Sequence, residues 1–313
     1  MLALDARSGD RLWVYPTEGN LQSIYSTPVL SGGRIFFGAY DSKVYALDAE
    51  TGAKEWESQT EGPIISSPAM EEDVLFIGSS DGHVYCLDAQ TGARRWDFET
   101  SGAVWADPTI ADGVLYIGSL GHQMYALNTD DGSLLWSFSA DAAIGGQAAL
   151  VDGTLYFGSH DREVYAVDAD TGELRWDFET QNWIWARPLV SDGVVYIGSL
   201  DETMYALDAA TGAELWRFDA AADVSGDARA GIRTSAILAD DKLIFGTQDG
   251  RVIALNVDQG DQVWDFNAGN GVLASPELNG DLVHISTTDG KIYALDVATG
   301  GRRWVHTTSG EEG

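Results

Sequence analysis

The sequence predicts an all-β fold, an eight-bladed β-propeller whose first blade is incomplete, with a seven-bladed ring as the alternative. Three observations predict it. One phrase, apolar-Ala-Leu-Asp, two residues, Thr-Gly, three residues, Trp, recurs eight times in 313 residues. The intervals between the recurring tryptophans are 43, 40, 40, 40, 40, 48 and 40 residues. No stretch shows a long helical period. Internal repeats of about forty residues, each holding four short strands, are propeller blades.

The phrase stands as Ala46-Leu47-Asp48, Thr51-Gly52 and Trp56. Asp88 with Trp96, Asp168 with Trp176, Asp208 with Trp216 and Asp296 with Trp304 repeat it. Asn128 with Trp136 and Asn256 with Trp264 are looser copies, and Ala3-Leu4-Asp5 with Ser8-Gly9 and Trp13 is the first. Residues 66–99 show the strands of one copy. A first strand is expected over 66–70, a turn over 71–73, and a second strand over 74–78. Asp81-Gly82 then supplies the positive φ of a hairpin turn. A third strand follows over 83–87, and a fourth over 94–98 after the Thr91-Gly92 turn.

The repeated residues have structural tasks. The glycine of Thr-Gly suits a left-handed backbone position, and the aspartate before it bonds nearby amides and holds the turn. The tryptophan is too large for one blade and is expected to dock against the next. Burying such a side chain contributes roughly 4–6 kcal/mol gross. None of these residues is expected to be catalytic.

The copies are unequal at the start. Third and fourth strands occur eight times, first and second strands seven times. The expected organisation is one domain over 1–308, with a half blade over 1–15, seven full blades over 24–304, and a polar tail over 309–313. In the seven-bladed alternative the N-terminal pair packs outside the ring, which would leave Trp13 without a dock. Met1 stands inside a motif, which suggests a preceding segment outside this sequence. An open half blade exposes strand edges and invites self-association.

Function is sought where the copies disagree. The segment leading into each first strand aligns on Pro28, Pro68, Pro108, Ala148, Pro188, Ala236 and Pro276. Four residues earlier every copy is Ile or Val, and two earlier every copy is small. The alternate positions vary. Three before the anchor stand Tyr25, Ile65, Trp105, Gly145, Trp185, Arg233 and Leu273. One before it stand Thr27, Ser67, Asp107, Gln147, Arg187, Ser235 and Ser275. A period of two puts both sets on one face, expected to look into the central channel. Of the 11 tryptophans, the three outside the repeat phrase (Trp105, Trp183 and Trp185) sit in these segments. Tyr25, Trp105, Asp107, Gln147, Trp185, Arg187 and Arg233 are therefore the candidate ligand-binding residues at the channel mouth. The plainer alternative is that Tyr25, Trp105 and Trp185 plug the channel, with Asp107 and Arg187 as an ion pair. An insertion around 220–231, before Arg233, is a candidate lid or partner loop.

Composition narrows the classes. With 49 acidic and 18 basic residues the chain carries a formal charge of −31. Such a chain repels nucleic acid and anionic membrane surfaces. Only four of the basic residues are lysine, and the acids are spread through all the repeats, a halophile-type composition. One cysteine, Cys86, permits no intrachain disulfide. No apolar run is long enough for a membrane span, and no export signal is visible, so the compartment is left open. An aspartate recurs in one hairpin turn (Asp41, Asp81, Asp161, Asp201, Asp249, Asp289), where turn chemistry suffices and no metal is required. The five histidines show no ligand spacing.

The Ala-Leu-Asp-x-x-Thr-Gly-x-x-x-Trp phrase resembles the tryptophan-docking motif of the pyrroloquinoline-quinone (PQQ) type of propeller. So does its companion, here Pro188, Asp192-Gly193 and Tyr196-Ile197-Gly198-Ser199. The resemblance covers residues 1–308 and implies eight blades. It spans quinoprotein alcohol dehydrogenases and BamB-like assembly lipoproteins, commonly extracytoplasmic. The enzymes of that family resemble chains nearly twice as long. They carry adjacent cysteines over the cofactor and hold calcium with Glu, Asn and Asp, and this chain has Cys86 alone. The expected function is a non-enzymatic scaffold for a protein partner or small ligand, without cofactor. The alternative is a PQQ-binding dehydrogenase-like protein in which Arg187 and Arg233 meet the cofactor's carboxylates and Trp105 or Trp185 stacks on its ring.

Overall fold

The computed structural model describes residues 1–17, 21–222 and 231–308. The regular elements among them are β-strands throughout. A hairpin comes first, β1 (Leu2–Leu4) with β2 (Arg11–Val14). The first four-stranded sheet follows: β3 (Val29–Ser31), β4 (Arg34–Ala39), β5 (Lys43–Asp48) and β6 (Lys54–Gln59), hydrogen-bonded in that order. The second is β7 (Ala69–Glu71), β8 (Val74–Gly78), β9 (His83–Asp88) and β10 (Arg94–Glu99). Five more sheets of the same order begin at Thr109, Ala149, Leu189, Ile237 and Glu277.

Each first strand is three residues long, shorter than the five expected over 66–70. Pairing starts at Ala69 after Pro68, and it starts one residue after the anchor also where Ala148 and Ala236 replace the proline, so the missing proline N–H is not what sets the length. Six of the seven second strands carry a glycine as their last or penultimate residue, for a packing reason. A Cβ on Gly38 would stand 2.1 Å from Ile64, and one on Gly118 would stand 2.4 Å from Ile144. The Ile or Val four residues before the anchor thus packs on the glycine of the preceding sheet. The three residues between Gly and Trp also find their reason. Ala46 pairs with Trp56 but Leu47 pairs with Lys54, so Glu55 is an extra residue in a β-bulge. The same shift occurs at Ala126/Leu127, Ala206/Leu207 and Ala294/Leu295.

The chain divides into two compact units: Met1–Asp5, Asp10–Asp161 and Val167–Leu174 in the first; Ala6–Gly9, Arg162–Ala166 and Arg175–Gly313 in the second. In the first unit the core lies between the faces of consecutive sheets, where Phe36, Val44 and Ala46 meet Leu75, Ile77 and Leu87. In the second, Tyr196, Met204 and Ala206 meet Leu243, Phe245 and Ile253 in the same way. The tryptophans join neighbours within each unit. In the first unit, Trp13, Trp56, Trp96 and Trp136 donate from Nε1 to the carbonyls of Ala49, Ala89, Thr129 and Ala169 at 2.9–3.1 Å. In the second, Trp176, Trp216, Trp264 and Trp304 reach Ala209, Val257, Val297 and Ala6 at 2.9–3.3 Å. Each ring lies on the glycine of the neighbouring turn, which is Thr-Gly except at Ser8-Gly9, Asp131-Gly132 and Gln259-Gly260. Asp48 holds one such turn by accepting from the amide and hydroxyl of Thr51, 2.8 and 2.6 Å.

The eight-bladed expectation is corrected. The described residues form seven four-stranded sheets, and residues 1–15 give a hairpin two strands wide, without first and second strands. The docking phrase travels with the third and fourth strands, so counting tryptophans overcounts blades by one. The premise that ranked eight above seven also fails. Trp13 keeps a dock, on Ala49 and Gly52, although its own sheet is not a blade. Ile24 records what the hairpin lacks. Its six equivalents from Ile64 to Val272 are fully buried, whereas Ile24 has no preceding glycine strand and is only half-buried. The tail over 309–313 lies outside the described residues, as does most of the insertion (223–230).

Candidate functional site

The lead-in segments alternate as their sequence requires. Trp183, Trp185 and Arg187 are at least partly exposed, while Ile184, Ala186 and Pro188 between them are buried. The buried small position is itself a fastener. Ser26 Oγ donates to the Gly38 carbonyl at 2.8 Å and accepts from its amide at 3.0 Å, and Thr234 does the same with Gly246.

The position just before the anchor ties neighbouring sheets together. In the first unit, the amide of Thr27 donates to Ser67 Oγ (2.8 Å), and the amide of Ser67 donates to Asp107 Oδ1. Gln147 Nε2 donates to the carbonyl of Pro108 at 3.0 Å. In the second unit, the amides of Arg187 and Ser235 donate to the hydroxyls of Ser235 and Ser275, both at 3.0 Å. This column therefore carries a structural hydrogen-bond relay as well as variable chemistry. Asp107 and Gln147 both take part in it.

The aromatic column behaves differently in the two units. In the first, Tyr25 is 64% exposed and meets Tyr40 edge-on, with ring centroids 5.7 Å apart. Trp105 donates from Nε1 to Ser80 Oγ at 3.1 Å. In the second, the Arg233 guanidinium lies over the Trp185 ring, 4.2 Å from its centroid. Burial holds the Arg233 pKa below its usual value. Trp183 beside them is 50% exposed. Tyr25, Trp105, Asp107 and Gln147 belong to the first unit, and Trp185, Arg187 and Arg233 to the second.

A second variable column was not singled out in the sequence. It follows the end of each second strand: Tyr40, Ser80, Leu120, His160, Leu200, Gln248 and Thr288. The amide of each donates to a carbonyl of a lead-in segment, as Ser80 does to Pro63 and Leu200 to Trp183, both at 2.9 Å. The same test of disagreement among copies would have found it.

The recurring hairpin aspartates serve their own loops. Asp81 Oδ2 accepts from the Tyr85 hydroxyl (3.0 Å) and the Glu61 amide (2.9 Å), and Asp201 accepts likewise from Tyr205 and Gln181. Burial and this bond push the Tyr205 phenol up to about 12. Where Gly121 replaces the aspartate, the Tyr125 hydroxyl itself accepts from the Ser101 amide at 3.0 Å. Among the described residues no group of three His, Cys, Asp or Glu is placed to hold a metal ion. No described helix is long and apolar enough to cross a membrane.

The family model described as "Outer membrane protein assembly factor BamB" matches residues 1–83, 61–145, 139–269 and 227–313. The crystal structure of BamB from Moraxella catarrhalis superposes with a TM-score of 0.79 at 20% identity, over 93% of this chain and 90% of that one. A computationally designed protein, Ika8, superposes equally well (TM-score 0.79, 19% identity, 92% and 88% covered). A stretch of 66 residues, 18% of this chain, is 35% identical to a 1-butanol dehydrogenase (cytochrome c) of Thauera butanivorans. That stretch spans 10% of the dehydrogenase.

Proposed function

This chain belongs to the family of the outer membrane protein assembly factor BamB, and on that premise we propose that it is a non-enzymatic scaffold that binds a protein partner. One observation carries the reading. All eight copies of the repeat motif are engaged in docking between neighbours. The repeat thus supports the frame, and the variable lead-in positions are left to present the binding chemistry. Exposed aromatics with a few charges are what a partner-binding surface uses. A photo-crosslinking residue in place of Trp183 tests this in the source cells. A specific crosslinked protein is expected, and its absence at Trp183, Tyr25 and Leu273 alike overturns the reading.

A second reading, a PQQ-binding dehydrogenase-like protein, has the 66-residue match in its favour. The residues present fit it poorly. Cys86 is a single, buried thiol, and the hairpin carboxylates Asp81 and Asp201 are engaged by the loops beside them. Titration with PQQ and calcium, followed by tryptophan fluorescence, discriminates. Saturable quenching that Trp185→Leu removes would favour the cofactor reading over the scaffold.

A further inference from the structure

Charge in this chain is lopsided: 49 acidic residues against 18 basic. Against that background most cations have a carboxylate close by. Arg34 pairs with Glu55, Arg95 with Asp73 and Asp88, Arg251 with Asp265, and Arg303 with Asp296. Arg233 is the contrast. It is partly buried. Among the described residues it makes no ion pair and no side-chain hydrogen bond, and its packing partner is the face of Trp185. A guanidinium stacked on an indole keeps its N–H edge available, because the ring covers only the flat face. Desolvating such a group without a hydrogen-bond acceptor is costly.

The surroundings point the same way. The outward positions of the second unit's lead-in segments hold Trp183, Trp185, Arg187, Arg233, Leu273 and serines, with no carboxylate among them. The bond from the Arg187 amide to Ser235 Oγ sets the segment of Trp185 beside that of Arg233. Trp183 is 50% exposed and Leu273 40%. The surface is cationic and aromatic on a strongly anionic protein. Its complement is an anion with apolar neighbours.

We propose that Arg233, backed by Trp185, is the seat for a carboxylate carried by an extended peptide of the protein partner, with the partner's flanking apolar side chains against Trp183 and Leu273. The carboxylate meets the N–H edge of the guanidinium as a charge-assisted pair. Its source is an acidic side chain or a chain terminus, and the two share this chemistry. The inference rests on the scaffold reading.

Three peptides separate the cases by calorimetry on the full chain: acetyl-Phe-Glu-Phe-amide, acetyl-Phe-Gln-Phe with a free carboxylate, and acetyl-Phe-Gln-Phe-amide. Binding is expected for one or both of the first two, at least about tenfold tighter than for the neutral third. The preferred peptide names the source. Arg233→Gln is expected to remove the preference, and Arg233→Lys to retain part of it, because charge is kept but the planar fork is lost. Trp185→Leu, which keeps an apolar base, should weaken binding. Unchanged circular dichroism and melting temperature show that each variant is folded. Equal affinity for all three peptides, no saturable binding, or a preference that survives Arg233→Gln overturns the proposal. Crosslinking from Trp183 in the Arg233→Gln background keeps the two readings apart. Partners retained at wild-type yield overturn the carboxylate seat and leave the scaffold standing, whereas no partner in either background, from Trp183, Tyr25 or Leu273, overturns the scaffold.

Discussion

The indole Nε1 of Trp304 donates a 3.3 Å hydrogen bond to the carbonyl of Ala6, 298 positions earlier in the chain. The same ring lies on Gly9, where an added Cβ would stand 3.1 Å from it. At Gly92 the corresponding Cβ would stand 2.6 Å from Trp56. Both glycines have φ near +70°. Each alanine therefore costs about 1 kcal/mol from the backbone alone, but Gly92→Ala must also displace a ring. Urea unfolding should show Gly92→Ala as clearly the more destabilising. Equal effects would mean that the ring contact contributes nothing. Trp304→Ala is expected to lower stability by about 3 kcal/mol.

Asp107 accepts from the Ser67 amide in the place where Ser67, Ser235 and Ser275 perform the same task. Asp107→Ser should therefore be nearly neutral. Asp107→Ala orphans an amide and should cost about 1–2 kcal/mol. Differential scanning calorimetry separates the two. A large loss in Asp107→Ser would show that the carboxylate itself is needed.

Arg95 and Thr91 hold the Asp88 carboxyl down at about 2. A depressed native pKa contributes stability above the unfolded value and loses it as pH falls. The Tm gap between the wild type and Asp88→Asn should be constant above about pH 5 and close between about pH 4 and pH 2. A gap that does not change over this window would contradict the assignment.

Cys86 packs among Phe76, Val84 and Leu115 in the core, and burial pushes its thiol up to about 12. A thiol-specific reagent at pH 8 should label it only at the rate of global unfolding. Rapid labelling of the native protein would show that the core around it opens locally.

A formal charge of −31 makes self-repulsion a destabilising term that salt screens. The midpoint temperature of thermal unfolding should rise steeply with molar KCl. Full stability in low salt would remove the halophile expectation.

Much of the frame was legible in the chain. The Asp, Thr-Gly and Trp spacing announced turn, bulge and dock, because each depends on residues close in sequence. Period-two alternation likewise assigned Ile64 to the inside and Ser67 to the outside. The number of blades was not legible in the same way. Trp13 and Trp304 read like their six counterparts, and only strand pairing showed that the hairpin of β1 and β2 is not a blade. The lead-in positions were recognised as variable, but sequence could not divide their roles. Asp107 is held by an amide 40 positions away, and Arg233 lies on a ring 48 positions away. Such separations are set by how successive sheets stack. Local pattern determined the elements, and tertiary packing decided which neighbour each variable side chain meets.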